Sequence, residues 1–344
     1  MAGQYRFSFG PWNIHEGADP FGPTVRRGIP FAKKVKMYKK LGFDGVQFHD
    51  DDAVPNMNEL GPKEVVKQAK DIRKMLEDEG LTAEFVAPRL WEDARTIDGA
   101  YTSNDPAARQ YAKDRSRRAI DIAEALDTKL IVLWLAREGT YVREAKDSKM
   151  AVDRLVEAID DMLDYGADMK IAIEPKPNEP MDQAYIPTTG HALALSYLTK
   201  DPKRVGVNIE TAHVILAGLD PSDEMGFALA YKKLYTVHLN DQNGLKFDED
   251  KSFGSVNLRR AFNQVRVLDK YNFGTKGEFV GLDVKAMRSQ KQDVATKHLT
   301  NSRTIFLRLV ELVRSLDQSK VDQLIAERDY EELDMLIVNH LMGR

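Results

Sequence analysis

Carboxylates, imidazoles and a lysine stand at the C-terminal ends of five short apolar runs in this sequence. His49 and Asp52 follow GVQF; Glu174 and Lys176 close IAIEPK; Glu210 and His213 close VGVNIETAH; His238 lies in YTVHLN; Asp283 ends EFVGLD. Asp248 and Asp250 come shortly after YTVHLN, in KFDED. Carboxylates gathered in such number would repel one another and resist ionisation unless cations neutralised them. Two divalent ions bridged by a shared carboxylate would meet that need. An oxygen-rich set suits magnesium, manganese or cobalt better than copper. The chain has no cysteine, which excludes disulfides, thiolate zinc sites, iron–sulfur clusters and cysteine nucleophiles. Any metal must be held by oxygen and imidazole.

Each residue alone has a plainer explanation. A Glu or His at a strand end is ordinarily an ion-pair or capping residue, HDDD at 49–52 could cap the next segment, and Asp248-Glu249-Asp250 could be a solvated loop. The joint occurrence at five strand ends argues against coincidence. His15, His191, His298 and His340 have no such placement and read as structural or surface residues.

These residues need elements that bring them together. Short β-type runs alternate with longer amphipathic stretches: RFSFG (6–10), GVQFHD (45–50), AEFVAP (83–88), LIVLWLA (130–136), IAIEP (171–175), VGVNIE (205–210), YTVHLN (235–240) and EFVGLD (278–283). Eight strands is the number that a closed (β/α)8 barrel, the TIM barrel, requires, and its catalytic residues gather at the C-terminal ends of its strands. A doubly wound open sheet would show the same alternation. Gly42 and Gly80 read as helix stops. Beyond residue 300, IFLRLVELVRSL reads as the last barrel helix and the rest as an acidic helical tail. A catalytic barrel over 1–300 is therefore expected, with 301–344 making subunit contacts.

With 344 residues, 42% of them hydrophobic, the chain can bury a large core, and one barrel with an appendage accounts for its length. A net charge of -4 and scattered Lys and Arg leave no basic surface for a phosphate backbone. Nucleic acid is not an expected partner, which also disfavours a metal-dependent endonuclease on the same barrel. The opening MAGQYRFSFG lacks the pattern of a signal peptide and no run is apolar for long enough to span a bilayer. A cytoplasmic protein without a membrane partner is expected.

The motifs VQFHDDD, WLAREG, IEPKPNEP, VGVNIETAH, GLKFDED and FVGLDVK, supported by GAYTSNDP, resemble those of the xylose isomerase family over roughly residues 6–290. The resemblance implies an aldose–ketose isomerase, converting D-xylose to D-xylulose and D-glucose to D-fructose by a hydride shift assisted by two divalent ions. Glu174, Glu210 and Asp283 would hold one ion. Glu210, His213, Asp248 and Asp250 would hold the other, with Glu210 bridging. His49, oriented by Asp52, resembles the residue that assists ring opening, Lys176 the one that hydrogen-bonds the carbonyl oxygen, and Glu179 a residue supporting the ligands. Trp12, Trp91 and Trp134 fall where the family places aromatic walls around its sugar. Phe21 resembles a residue inserted into a neighbouring subunit's site, so a homodimer or homotetramer is implied. His238 departs from the pattern, which has an aspartate there. Related sugar isomerases and ketose 3-epimerases, which act by proton transfer, use histidine at a comparable place and form the alternative reading. A sugar-binding protein without catalysis would have no use for Lys176 or His49 beside such a cluster.

Overall fold

The computed structural model describes residues 5–343. Eight parallel strands follow one another around a closed barrel: β1 (Arg6–Phe9), β2 (Gly45–His49), β3 (Thr82–Ala87), β4 (Leu130–Trp134), β5 (Lys170–Glu174), β6 (Val205–Glu210), β7 (Leu234–Leu239) and β8 (Phe279–Leu282). The seam closes through β1 and β8, with Arg6 beside Phe279 and Phe9 beside Leu282. Long helices fill the gaps between strands: α1 (Phe31–Leu41), α2 (Pro62–Asp78), α3 (Pro106–Ala125), α4 (Ser148–Tyr165), α5 (Thr189–Leu198), α6 (Pro221–Ala230) and α7 (Leu258–Lys270). α8 (Lys297–Ser315) follows β8. The expected (β/α)8 barrel is the observed one.

Local chemistry explains the alternation. Asp105, Asp147 and Asp220 each accept a hydrogen bond from a first-turn amide of α3, α4 and α6, and Pro62, Pro106 and Pro221 occupy the first helical position, where no amide hydrogen is needed. Gly42 ends α1 with φ of 87°, a left-handed conformation that costs glycine little. Between barrel and helices, Phe9 stacks on Tyr38 at 3.9 Å and Phe306 meets Phe7 edge-on at 5.5 Å. These contacts tie β1 to α1 and α8.

α8 begins at Lys297, so a boundary at residue 300 would cut its first turn. Two tail helices follow, α9 (Gln318–Glu327) and α10 (Tyr330–Leu341). They fold back on the barrel: His340 Nε2 lies 2.7 Å from the Leu312 carbonyl of α8, Arg259 of α7 pairs with Asp334 at 2.5 Å, and Val321, Leu324 and Ile337 are buried. No described helix is long and apolar enough to cross a membrane.

His298, at the start of α8, gives a measurable pH dependence. It is buried and its Nε2–H donates to the Asn13 carbonyl at 2.8 Å. Burial pushes its pKa down to about 4. In the unfolded chain it titrates near the ordinary value of about 6.5, so between these limits the unfolded state binds the extra proton. Stability from this group is complete above pH 6.5 and falls as pH drops towards 4, by roughly 3 kcal/mol at most. Urea unfolding at pH 7 and 4.5 should show that slope, and His298→Gln should flatten it.

Candidate active site

Strand register brings the candidate ligands level. Trp134 pairs with Glu174 across β4 and β5, Glu210 with His238 across β6 and β7, and Gly281 with His238 across β8 and β7. Glu210 is also the cap of a short helix, Thr211–Leu216, and accepts the His213 amide hydrogen. The Glu-x-x-His spacing thereby turns both side chains into the barrel mouth.

Two groupings result. In the first, His238 Nδ1 lies 3.3 Å from Glu174 Oε2 and 3.9 Å from Asp283 Oδ2. Asp283 is itself held by Trp12 Nε1 at 2.9 Å and Asn13 Nδ2 at 2.7 Å, and Glu174 by Asn208 Nδ2 at 2.7 Å. In the second, Glu210, His213 and Asp248 offer ligand atoms within 4.8 Å of one another. His213 links the groupings, with Nδ1 3.5 Å from both Glu174 and Glu210 and Nε2 3.1 Å from Asp248. Asp250 is turned elsewhere: Lys285 pairs with it, and Asn240 Nδ2 reaches it at 3.1 Å while also bonding Glu210. Of the four residues expected around the second ion, three converge and Asp250 joins them only through Asn240.

The charges behave as a crowded, buried set must. Burial and then the charges of Asp248 and Asp250 hold Glu210 well above the usual carboxylate range, and burial with Asp248 does the same to Asp250. Burial also opposes ionisation of Asp248 and Glu174, but cationic neighbours prevail. Lys176 and His213 hold Asp248 well below its ordinary value, and His238 and His213 lower Glu174. Burial works against a proton on His238, yet Glu174, Asp283 and Glu84 outweigh it and push its pKa up to about 9. His213 Nδ1, both ring nitrogens of His238 and Asp248 Oδ1 are buried without hydrogen-bond partners. Unsatisfied donor atoms amid carboxylates that favour shared protons are what a divalent cation would complete, so the residues fit a metal ion.

The remaining predicted residues line the same mouth. Lys176 Nζ lies 2.9 Å from Asp248, 3.2 Å from Glu179 and 5.2 Å from the centre of the Trp134 ring; its partners push its pKa up to about 12 despite burial. Glu179 also accepts the Asp248 amide hydrogen at 3.1 Å. His49 lies under Trp12 at 4.1 Å and beside Trp91 at 5.1 Å, and Trp91 meets Trp134 edge-on at 4.5 Å, giving one continuous aromatic wall. Asp52 Oδ2 is 3.0 Å from His49 Nδ1. Phe21 is not part of this wall: it is 81% exposed and touches Phe247 on the rim. His15 and His191 bond neighbours in sequence, while His298 and His340 bond the backbone carbonyls of Asn13 and Leu312.

Several participants were not foreseen. Asn13, Asn208 and Asn240 hold the ligands, Lys285 neutralises Asp250, and Arg89 reaches His49 Nδ1 at 2.7 Å and Asp51 at 2.8 Å. A usable signal existed for three of them: Asn208, Asn240 and Lys285 each lie two residues from a ligand, and along an extended strand alternate residues share a face.

The fold has well-defined relatives. It superposes on a D-psicose 3-epimerase in the presence of D-fructose with a TM-score of 0.64 and 16% identity, covering 89% of this chain and 99% of that one. A D-psicose 3-epimerase with D-tagatose from Clostridium cellulolyticum H10 gives a TM-score of 0.63 and 14% identity over 90% and 99% of the two chains. The IolI protein with a bound zinc atom gives 0.59 and 14% over 89% and 98%. At such identities the likeness establishes the architecture alone. The sequence itself matches the family model described as the xylose isomerase-like TIM barrel over residues 35–272. That span runs from inside α1 to just past α7, and the chain therefore belongs to the xylose isomerase-like TIM-barrel family.

Proposed function

We propose that the protein is a metal-dependent sugar isomerase or epimerase that works by proton transfer next to a polarised carbonyl, with ketose 3-epimerisation as its reaction type. The observation that carries this reading is the grouping of His238 with Glu174 and Asp283 at the ends of β7, β5 and β8, with Glu210 on β6 paired in register with His238 and with imidazole rather than carboxylate on β7. Such a set suits one divalent ion, and the fold shared with two D-psicose 3-epimerases supports the reaction type. Bound there, the ion would polarise the substrate carbonyl and neighbouring hydroxyl and so favour loss of the intervening proton. Glu174 and Asp283 rise from β5 and β8, with the His238 strand between them. One carboxylate takes the proton from one face of the carbon and the other returns a proton to the opposite face. Lys176 donates from Nζ to the developing oxyanion, and the tryptophan wall keeps water away.

A hydride-shift aldose–ketose isomerase is the second reading, favoured by the compact Glu210–His213–Asp248 group, which offers a place for a second ion. Incubation of D-fructose, D-psicose, D-tagatose and D-xylose in D2O with magnesium, manganese, cobalt or zinc separates the two. Deuterium entering at C3 of an epimerised ketose supports proton transfer. Isomerisation with no solvent label supports the hydride shift, and absence of turnover with every sugar and metal refutes both.

His238 also sets metal preference. A nitrogen donor in place of a carboxylate makes the site less suited to magnesium than to manganese or cobalt. Titration of metal-free protein should show tighter manganese binding, and His238→Asp should narrow the gap; equal affinities unchanged by the mutation would remove His238 from the ligand set. Phe21, exposed on the rim, fits contact with a second copy, and a homodimer or homotetramer is proposed. Sedimentation should show an oligomer that Phe21→Ala weakens, and a fully active monomer would refute it.

A further inference from the structure

One nitrogen of the His49 imidazole is met by two groups that ask opposite things of it. Arg89, two residues past β3, brings Nη2 to 2.7 Å from His49 Nδ1. Asp52 brings Oδ2 to 3.0 Å from the same atom. A guanidinium only donates and an ionised carboxylate only accepts, so just one of the two contacts can be a hydrogen bond to Nδ1. Whichever prevails decides which ring nitrogen carries the proton of the neutral imidazole.

The surroundings favour Arg89. Its guanidinium is held by three carboxylates: Nε donates to Asp51 at 2.8 Å, Nη1 to Glu92 at 3.1 Å, and Nη2 lies 3.5 Å from Asp52. The side chain is only 16% accessible, which leaves it little room to turn away. Arginine keeps its protons at any working pH. If Nδ1 bore one as well, two N–H hydrogens would be pressed between nitrogens 2.7 Å apart. Asp52 gives up less. Its Oδ2 already accepts the His49 backbone amide hydrogen at 3.1 Å, and its charge still faces Arg89. Because both groups meet the ring at Nδ1, Nε2 is left as the polar atom that His49 offers within the wall of Trp12 and Trp91.

We propose that Arg89 is a positioning residue for His49: it keeps Nδ1 bare and the proton on Nε2, so that His49 meets the sugar as a hydrogen-bond donor. Were Asp52 to orient the ring, Nδ1–H would point at the carboxylate and Nε2 would offer a lone pair, able to take a hydroxyl proton as a sugar ring opens. With Arg89 orienting it, Nε2 offers N–H, and the sugar atom it meets is an acceptor oxygen. Arg89 thereby selects what His49 can recognise. The sugar comes from the proposed function, on which this consequence rests, whereas the position of the proton does not depend on it.

Long-range proton–nitrogen spectra of protein labelled with 15N-histidine test it, the ring signals of His49 being identified by their loss in His49→Gln. At about pH 8, above the ordinary histidine range, Nε2 of the native protein is expected to carry the proton and Nδ1 none. In Arg89→Met the competing donor is gone, and the proton should move to Nδ1, where Asp52 accepts it. A native ring protonated at Nδ1, or one protonated at Nε2 in both proteins, overturns the proposal. If Arg89→Met does not fold, Arg89→Lys keeps a positive charge for Asp51 and Glu92 but loses the planar fork that reaches Nδ1. The proton should again shift to Nδ1, and an unchanged Nε2–H refutes the assigned role. No sugar enters either measurement, so failure here is distinct from failure of the epimerase assignment.

Discussion

Lys176→Met is expected to lower kcat by about a hundredfold or more while the barrel and its metal content are retained. The ammonium group is buried, lies against Trp134 and is held by Asp248 and Glu179, so it reaches the mouth as a fixed charge rather than a mobile surface lysine. Removing one preorganised donor to a developing oxyanion commonly costs on the order of 100- to 1000-fold in rate. Methionine keeps most of the volume and the contact with the indole, so the effect isolates the charge. Steady-state kinetics, metal analysis and thermal melting of the same preparation check it. Near-normal turnover would remove Lys176 from the reaction.

Arg115→Met should have the largest effect on stability, about 3 to 5 kcal/mol. Arg115 on α3 grips Asp50 with two bonds of 2.7 Å, and neither side chain is accessible beyond a few per cent. Burial alone pushes Asp50 above its ordinary pKa, and Arg115 is the principal counterweight. Methionine would leave the carboxylate buried without a cation. Urea denaturation should show the loss, and adding Asp50→Asn should recover part of it, since the orphaned charge and not the missing contact carries the cost. A loss below 1 kcal/mol in the single variant would mean that Asp50 finds other solvation.

The HDDD run shows where sequence reading stops. Its place at the end of β2 was legible, because an apolar run followed by polar residues marks a strand end. The division of labour among three adjacent aspartates was not. Asp50 turns inward to Arg115, Asp51 to Arg89, and Asp52 back to His49, because the short helix Asp50–Ala53 rotates each by about 100° from the last. Arg115 and Arg89 lie 65 and 39 residues away along the chain from Asp50, and only the packed barrel brings them there. The ionisable ligands at strand ends announced themselves by charge. Gln47 and Glu84 lie within strands, where a polar residue gives no sign of facing the axis until register is known. The tail's helices were similarly visible while their docking on α7 and α8 was not.

Asp283 lies one residue past β8, and its carboxylate is held by Trp12 and Asn13 from just after β1. This makes the order of synthesis matter. A chain emerging from the ribosome completes seven strands with both sheet edges open and with Trp12 and Asn13 waiting for an acceptor made some 270 residues later. With Asp283 among the proposed ligands, metal capture would come after the final strand has docked, and the ion would then act as a latch across the seam between the first and the last strands of the barrel.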